Sequence, residues 1–362
     1  MKRILITGAG GTPALNFIRS LRMSGEAFYL IGVDCNSYYL PRAETDERHL
    51  IPRADEPDYL SVLCDIIRET RSQFVFAQPD VEIAVLSEHR GELGTKTFWP
   101  KHETVLACQD KYQTYGLWRE AGLPVPETRL LNSPGDLEGF LKEFGEAWLR
   151  ATRGAAGRGA LRANDPKQAR SWVDFNDGWG TFTAAQYLSP RSVTWQSIWN
   201  CGALVVAQGR ERLYWEFADR SPAGVTGITG GGITVSDQEV DRISQRAILA
   251  IDPHPHGIFS VDLTYDSRGV PNPTEINIGR FFTTHLFFSA AGLNMPHILV
   301  RLAFRESLPA LSTRINPLPP GQLWIRGMDM EPVLTDGLAI KGAEEDLRRR
   351  RARGAPAQII QS

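Results

Sequence analysis

Asp262, Glu275, Asn277 and Arg280 fall in one stretch, GIFSVDLTYDSRGVPNPTEINIGR, with the pattern of a hairpin: alternating residues up to Tyr265, a DSRG turn, and a second strand carrying TEIN. Glu275 and Asn277 are two positions apart and share a face of their strand. Asp262 supplies a further oxygen from the strand opposite. Such a set suits Mg2+, which takes carboxylate and carbonyl oxygen and completes its octahedron with water and phosphate. Arg280 would add a cation where phosphate charge builds up. A polar hairpin with solvated acids is the competing reading. Phe259, Val261, Leu263, Ile276 and Ile278 argue against it, because they alternate with the polar positions and give the pair an apolar back.

A metal beside phosphate needs other groups to hold the rest of a nucleotide. RGAAGRG (residues 153–159) is small enough at Gly154, Gly157 and Gly159 for backbone N–H groups to approach phosphate oxygens, and it brings Arg153 and Arg158. It lacks the G-K-[ST] of a Walker A loop. Lys111 and Arg150 are candidate contacts to the α- and β-phosphates. Near the N-terminus, GAGGTP matches the dinucleotide fingerprint only at Gly8 and Gly10, with Pro13 where the third glycine belongs. In that reading Asp34 would be the ribose carboxylate. Asp252-Pro-His-Pro-His256 reads as a polar loop rather than a metal site, and RRRRAR (348–353), preceded by EED, as a solvated helical face.

The elements that must position these residues follow from periodicity. Residues 3–7 predict a buried strand, GAGGTPA a turn, 15–21 a helix, YLIGVD a second strand, 57–71 a helix and FVFAQ a third strand. That alternation is the pattern of an open parallel sheet, whose ligands sit beyond the carboxyl ends of the strands, where GAGG, Asp34 and the segment 78–82 fall. A boundary is expected near 98–103. Beyond it comes a helix over 110–120, ended by GLPVPE, then strands near 148–151, 182–188, 193–199 and 204–208, with glycine-rich loops at 153–159 and 224–232. QLWIRGMDM regains strand character before a charged tail.

Composition narrows the class. The 40 basic and 42 acidic side chains nearly balance, so no global footprint for nucleic acid or membrane is present. Four widely spaced cysteines form no C-x-x-C pair, which points away from a zinc ribbon or disulfide framework. The opening MKRILITGAGG has too short an apolar run for a signal peptide, and no apolar window reaches spanning length, so a cytoplasmic protein is expected.

The order of these pieces resembles the ATP-grasp superfamily, and is most similar to the branch holding the carbamoyl-phosphate synthase large subunit and the amino-acid ligases. The motifs that carry the resemblance are DKYQTYGLWREAGLPVPET, the span GIFSVDLTYDSRGVPNPTEINIGRFF and the following AGLNMP, within a likeness from Lys2 to about Leu302. It implies an α/β chain with a Rossmann-like pre-ATP-grasp domain (1–105), a small lobe with the glycine-rich loop (106–190), a large lobe with the Mg2+ and ATP site (191–305) and a C-terminal extension (306–362). By the same resemblance Lys111 and Arg150 hold nucleotide phosphates. The loop with Arg153, Gly154, Gly157 and Gly159 covers them, and Gln186, Tyr187 and Leu188 form the hinge that holds adenine. Asp262, Glu275 and Asn277 bind Mg2+, with Mn2+ as the alternative ion; Arg280 stands beside the transferred phosphate, and Arg210 and Arg212 face substrate. This chain departs from the family where Arg150 replaces a lysine, Gln186 a hinge acid, Ser192 a ribose acid, and Asn277-Ile278-Gly279-Arg280 the usual Asn-Pro-Arg.

The implied activity is an ATP-dependent carboxylate–amine ligase working through an acyl phosphate on small molecules, with no nucleic-acid or membrane partner and a homodimer as an option. The alternatives are a nucleotide-binding regulatory protein with weakened catalysis, motivated by the departures, and an NAD-dependent oxidoreductase, motivated by GAGGTP and Asp34.

Overall fold

The computed structural model describes residues 1–154, 157, 159–328, 333, 335 and 337–354, so Arg158 and the Asp329-Met330 end of QLWIRGMDM lie outside the described residues. The chain forms two compact units. The first takes in Met1–His102, Gly279–Ala310 and the described part of Asp329–Ser362; the second takes in Glu103–Ile278 and Leu311–Met328.

The first unit begins with β1 (Lys2–Thr7), α1 (Thr12–Arg22), β2 (Phe28–Asp34), β3 (Glu47–Leu50), α2 (Tyr59–Thr70), β4 (Phe74–Phe76) and α3 (Asp80–Glu88). All its strand pairs are parallel, in the order β3-β2-β1-β4. Burial of both sheet faces explains why β1 and β2 read as continuous apolar runs. Pro13 sits in the first turn of α1, where its missing N–H costs nothing, and Leu15, Phe17, Ile18 and Leu21 face the core. Phe17 stacks on Phe76 with ring centroids 3.7 Å apart. The glycine turn before α1 is tight for a packing reason: a Cβ on Gly10 would lie 2.0 Å from the Tyr39 carbonyl oxygen. Asp34 closes the turn, accepting the Gly10 N–H at 3.0 Å and the Asn36 N–H at 3.0 Å. Its carboxylate is buried and accepts these backbone N–H groups.

The second unit contains two antiparallel sheets. Its elements are α4 (His102–Gln109), α5 (Lys111–Glu120), β5 (Thr128–Leu130), α6 (Pro134–Phe144), β6 (Ala147–Ala151), β7 (Leu161–Ala163), α7 (Pro166–Phe175), β8 (Phe182–Ala185), β9 (Ser192–Asn200), β10 (Ala203–Trp215), β11 (Thr229–Val235), α8 (Gln238–Ile251), β12 (Gly257–Tyr265), β13 (Pro271–Ile278) and β14 (Leu323–Ile325). A four-stranded sheet runs β5-β8-β6-β7, and a six-stranded sheet runs β13-β12-β9-β10-β11-β14. Leu137 and Phe140 of α6 and Val173 of α7 pack on Leu149 and Phe182 to make the smaller core. Local signals stop and start these helices. Ser133 and Asp136 form a capping box on α6, Gly145 ends it with a φ of 78°, and Asp110 caps α5 by accepting the Tyr112 and Gln113 N–H groups. Trp118 fixes α5 on α8 by donating its ring N–H to the Ala247 carbonyl.

The chain then returns to the first unit with α9 (Leu286–Ala290), α10 (Met295–Ala303) and α11 (Gly337–Gly354). The Ser289 hydroxyl and the Asn294 amide both bond to Ser20 of α1. Among the described residues, no helix is long and apolar enough to cross a membrane.

Three segments differ from the periodicity reading: the strand expected over 182–188 stops at Ala185, and the other two lie in β10 and β11. β10 continues well past 208, to Trp215, and the second half of the 224–232 glycine segment is strand, not loop. The glycines of β11 lie under large side chains of β10: a Cβ on Gly230 would meet the Tyr214 ring at 2.1 Å, and one on Gly232 the Arg210 side chain at 2.7 Å. They are slots for side chains, and glycine is required by close approach rather than by flexibility.

Candidate active site

The hairpin of β12 and β13 places its polar residues as partners. Asp262 lies directly opposite Glu275, with a register shift immediately after Asp262, and Asp262 faces Thr194 of β9 on its other side. The Asn277 amide donates to Asp262 Oδ2 at 3.1 Å. Asp262 Oδ1 accepts from the Thr194 hydroxyl at 2.5 Å. Two carboxylates facing each other across a strand pair repel, so the pair must be compensated. Four basic side chains do so. Arg212 Nη2 lies 3.9 Å from Asp262 Oδ1, Lys111 Nζ lies 3.7 Å from Glu275 Oε2, and Arg150 Nη1 lies 3.9 Å from the same oxygen. Arg210 is nearby and lowers the Asp262 pKa, as Arg212 does more strongly, while burial and Glu275 raise it, and the net shift is upward.

Lys111 opens α5, and its ammonium also donates to the Gly154 carbonyl at 2.6 Å. Arg150 reaches across from β6 to donate to the Thr274 carbonyl at 2.9 Å; burial lowers its pKa and Glu275 opposes that. A guanidinium here spans β6 and β13 with one group, something a lysine ammonium cannot copy. The glycine-rich loop begins beside these cations. Arg153 pairs loosely with Asp110 at 3.4 Å, and Gly157 has a φ of 66° and abuts the 224–228 segment, where a Cβ would lie 2.8 Å from the Val225 carbonyl oxygen. Gly154 and Gly159 also take positive φ.

Arg210 and Arg212 enter from β10. Arg210 is 2% exposed, donates to Thr229 Oγ1 at 3.0 Å and to Thr194 Oγ1 at 2.6 Å, and has its pKa pushed down to about 9, first by burial and then by Arg212. Arg212 donates to the same Thr229 hydroxyl at 3.1 Å and to Ser192 Oγ at 2.6 Å, and stacks 3.7 Å above the Trp215 ring. Ser192, which stands where a ribose acid is expected, is thus an acceptor for Arg212. Thr194 and Thr229 were not singled out from sequence; hydroxyls at strand positions give no pattern, and only the pairing register brings them to the arginines. Arg326, just past β14, is a further buried cation that lowers the Arg210 pKa and donates to the Thr229 carbonyl.

At the expected hinge, Gln186 bonds twice to Glu127: its N–H donates to the Glu127 carbonyl at 2.9 Å, and its Oε1 accepts the Glu127 N–H at 3.0 Å. Tyr187 lies under the Arg162 guanidinium at 3.8 Å, and Leu188 is half-buried beside it. Arg280 belongs to the first unit, where its guanidinium pairs with both Asp80 oxygens. The second unit therefore brings together Lys111, Arg150, Arg210, Arg212, Asp262, Glu275 and Asn277, whereas Arg280 is placed by the first.

The donor chemistry fits Mg2+ rather than a soft metal. Among the described residues no cluster of three or more His, Cys, Asp or Glu exists. The site instead offers two carboxylates and an amide, hard oxygen ligands that leave positions for water and phosphate.

Residues 4–98 match the family model of the PylC-like N-terminal domain. No curated protein sequence matches the chain. Solved structures do resemble it. The L-amino acid ligase from Bacillus licheniformis shares 14% identity over 84% of this chain and 74% of its own, with a TM-score of 0.65. The biotin carboxylase domain of Hydrogenobacter thermophilus 2-oxoglutarate carboxylase, a dimer in complex with MgADP and bicarbonate, shares 15% over 89% and 73%, with a TM-score of 0.67. A carboxyaminoimidazole ribonucleotide synthase from Aspergillus clavatus, complexed with ATP, shares 17% over 87% and 80%, with a TM-score of 0.66. With an N-terminal parallel sheet that matches the PylC-like model and two antiparallel lobes after it, the chain has the ATP-grasp fold.

Proposed function

We propose that the chain is an ATP-dependent carboxylate–amine ligase that works through an acyl phosphate. The observation that carries this reading is the opposed Asp262 and Glu275 pair surrounded by Lys111, Arg150, Arg210 and Arg212. Acids facing each other in a basic wall suit a ligand that is itself part cation and part polyanion, namely Mg2+ with a nucleoside triphosphate.

Asp262, Glu275 and Asn277 would hold Mg2+, which when bound neutralises charge on the transferred phosphoryl group. Lys111 and Arg150 bind phosphate oxygens, exchanging their present partners, Gly154 and Glu275, for the nucleotide. Backbone N–H groups at Gly154, Gly157 and Gly159, with Arg153, cover those oxygens and exclude water that would hydrolyse an acyl phosphate. Gln186, Tyr187 and Leu188 receive the base. Arg210 and Arg212, held by Thr194, Thr229 and Ser192 before any substrate arrives, present fixed charge to a substrate carboxylate, so little reorganisation is needed when charge develops. Arg280 is assigned to the transferred phosphate on its position three residues after Asn277. That the substrates are a small carboxylate and an amine, and that Mn2+ is the alternative to Mg2+, follows from the same resemblance.

The test is ADP release by the purified chain with ATP, Mg2+ and a panel of carboxylates and amines. Release that needs both substrates, and is lost in Asp262→Ala with Glu275→Ala, is expected. A second reading, nucleotide binding without turnover, draws on Arg150 and Gln186, which hold main-chain partners where the family carries a lysine and an acid. Calorimetric ATP binding with no ADP release across the whole panel would favour it.

A further inference from the structure

The run RRRRAR, which reads in the sequence as one solvated helical face, is divided in the structure. It lies on α11, which belongs to the first unit and packs against α2 and against β3, the outermost strand of the parallel sheet. Arg348, Arg349 and Arg353 are exposed, whereas Arg350 is 8% exposed and Arg351 is partly buried. Arg350 Nη1 pairs with Glu69 of α2 at 2.6 Å, and its Nη2 lies 3.5 Å from His49 Nδ1 of β3. Its Nε pairs with Asp346, one turn earlier in the same helix, at 2.8 Å. Arg351 Nη2 reaches Glu56 at 2.6 Å and its Nε lies 3.1 Å from Asp58, both just before α2. Nearer the start of the helix, the Ser37 hydroxyl donates to Glu344 at 3.0 Å.

This contact lacks an apolar stripe. Leu338 is 78% exposed, Ile340 and Leu347 are only partly covered, and among the described side chains of α11 Arg350 alone is buried. A surface helix ordinarily docks by burying one apolar face; α11 docks on guanidinium–carboxylate pairs. That difference decides how the contact responds to solvent. Pairs at a surface are weak and are screened by salt, because the Debye length falls from about 30 Å at 0.01 M to about 3 Å at 1 M. The strands beneath are held otherwise: Ile4, Leu5 and Ile6 of β1 and Leu30, Ile31 and Val33 of β2 are fully buried, and apolar burial is not screened. The first unit therefore joins an apolar sheet to an electrostatic cover, two parts that can open at different free energies.

We propose that α11 is a salt-operated strap, which closes on β3 and α2 at low ionic strength and comes off them at high ionic strength while the sheet stays folded. Arg350 and Arg351 hold the strap down, and Glu56, Asp58 and Glu69 receive them. Opening uncovers His49 and β3, the strand at which the parallel sheet ends. The strap is independent of the ligase reading, whose phosphate site lies in the second unit.

The test is hydrogen exchange of the full chain, read by mass spectrometry at one pH in about 0.01 M and about 1 M sodium chloride and corrected against the unfolded chain. Raising the salt should speed exchange of the α11 amides by about tenfold or more, speed those of β3 to a smaller extent, and leave those of β1 and β2 unchanged. Glu56→Gln with Glu69→Gln should show in low salt the fast α11 exchange that the parent shows in high salt. Exchange of α11 that does not change with salt, α11 amides that open only together with β1 and β2, or a double variant that behaves like the parent would overturn the proposal. The salt comparison uses the unaltered chain, so it stands even where the double variant folds poorly.

Discussion

Asp262 and Glu275 in the second unit and Asp34 and Glu82 in the first are acids drawn out of bulk water, and the two regions treat them oppositely. In the second unit each acid has guanidinium or ammonium groups within 4 Å: Arg212 at Asp262, and Lys111 and Arg150 at Glu275. In the first, Asp34 is satisfied by backbone N–H groups, and burial and the like charge of Asp34 carry Glu82 to about 8 against the single hydroxyl of Thr7. Burial pushes Asp262 upward as well, so desolvation alone does not separate the regions. Their neighbours do: basic side chains stand around the acids of the second unit, and none acts on Glu82 in the first.

The comparison breaks first at the Asp262 and Glu275 pair. On the proposed function, Asp262→Ala with Glu275→Ala should lower ADP release by about a thousandfold or more, read in a coupled ADP assay, since it removes the oxygens proposed to anchor the metal and leaves the arginines uncompensated. Glu82 sharpens the other side through pH. Its folded pKa lies above the unfolded value, so the stability linked to its proton is fully present below about 4.5 and is lost as pH rises through about 8. Glu82→Gln keeps the neutral form at every pH. It should match the parent near pH 4.5 and exceed it by a few kcal/mol at pH 8.5 in urea unfolding, and an equal gap at both values would contradict the shifted proton.

Smaller effects test the scaffold. Gly230→Ala forces a methyl into the Tyr214 ring and should cost about 1–3 kcal/mol of stability by urea unfolding. Lys111→Ala should raise the dissociation constant for ATP about tenfold by calorimetry, the loss of one proposed charged phosphate contact. Arg350→Ala, which removes pairs from the C-terminal helix to Glu69 of α2 and to Asp346 of the same helix, should shift stability by less than about 1 kcal/mol, because Glu69 is half exposed and screened.

Some of this was legible in the sequence because it is periodic. The parallel sheet, the helix that opens at Asp110-Lys111 and the hairpin that carries Asp262, Glu275 and Asn277 all follow from alternation, helix breakers and a turn, whereas the register that sets Asp262 against Glu275 does not. Gly230, Gly231 and Gly232 were opaque for the opposite reason: a glycine run reads as loop, and only the side chains of Arg210 and Tyr214 lying across it make it a strand. Asp34 is another such case, since its spacing from Gly8 suits a ribose acceptor while its actual partners are two backbone N–H groups. Thr194, Thr229 and Arg326 carry no motif and are found only when strands far apart in sequence pair. Glu82 was visible only as part of the segment after the third strand, and its burial could not be read from its immediate neighbours.

The first unit is discontinuous, and synthesis must respect that. Residues 2–76 hold the four strands, but Phe281 joins the Phe17 and Phe76 rings at about 6 Å, and α9 and α10 cover α1 from positions beyond 285. The ribosome must therefore make the whole second unit up to Ile278 before the partners of α1 exist. At roughly 5–20 residues per second, the early strands wait for on the order of ten seconds or more with apolar surface uncovered. Such a delay predicts a nascent chain that depends on a holding chaperone, and a separated N-terminal fragment that aggregates where the full chain does not.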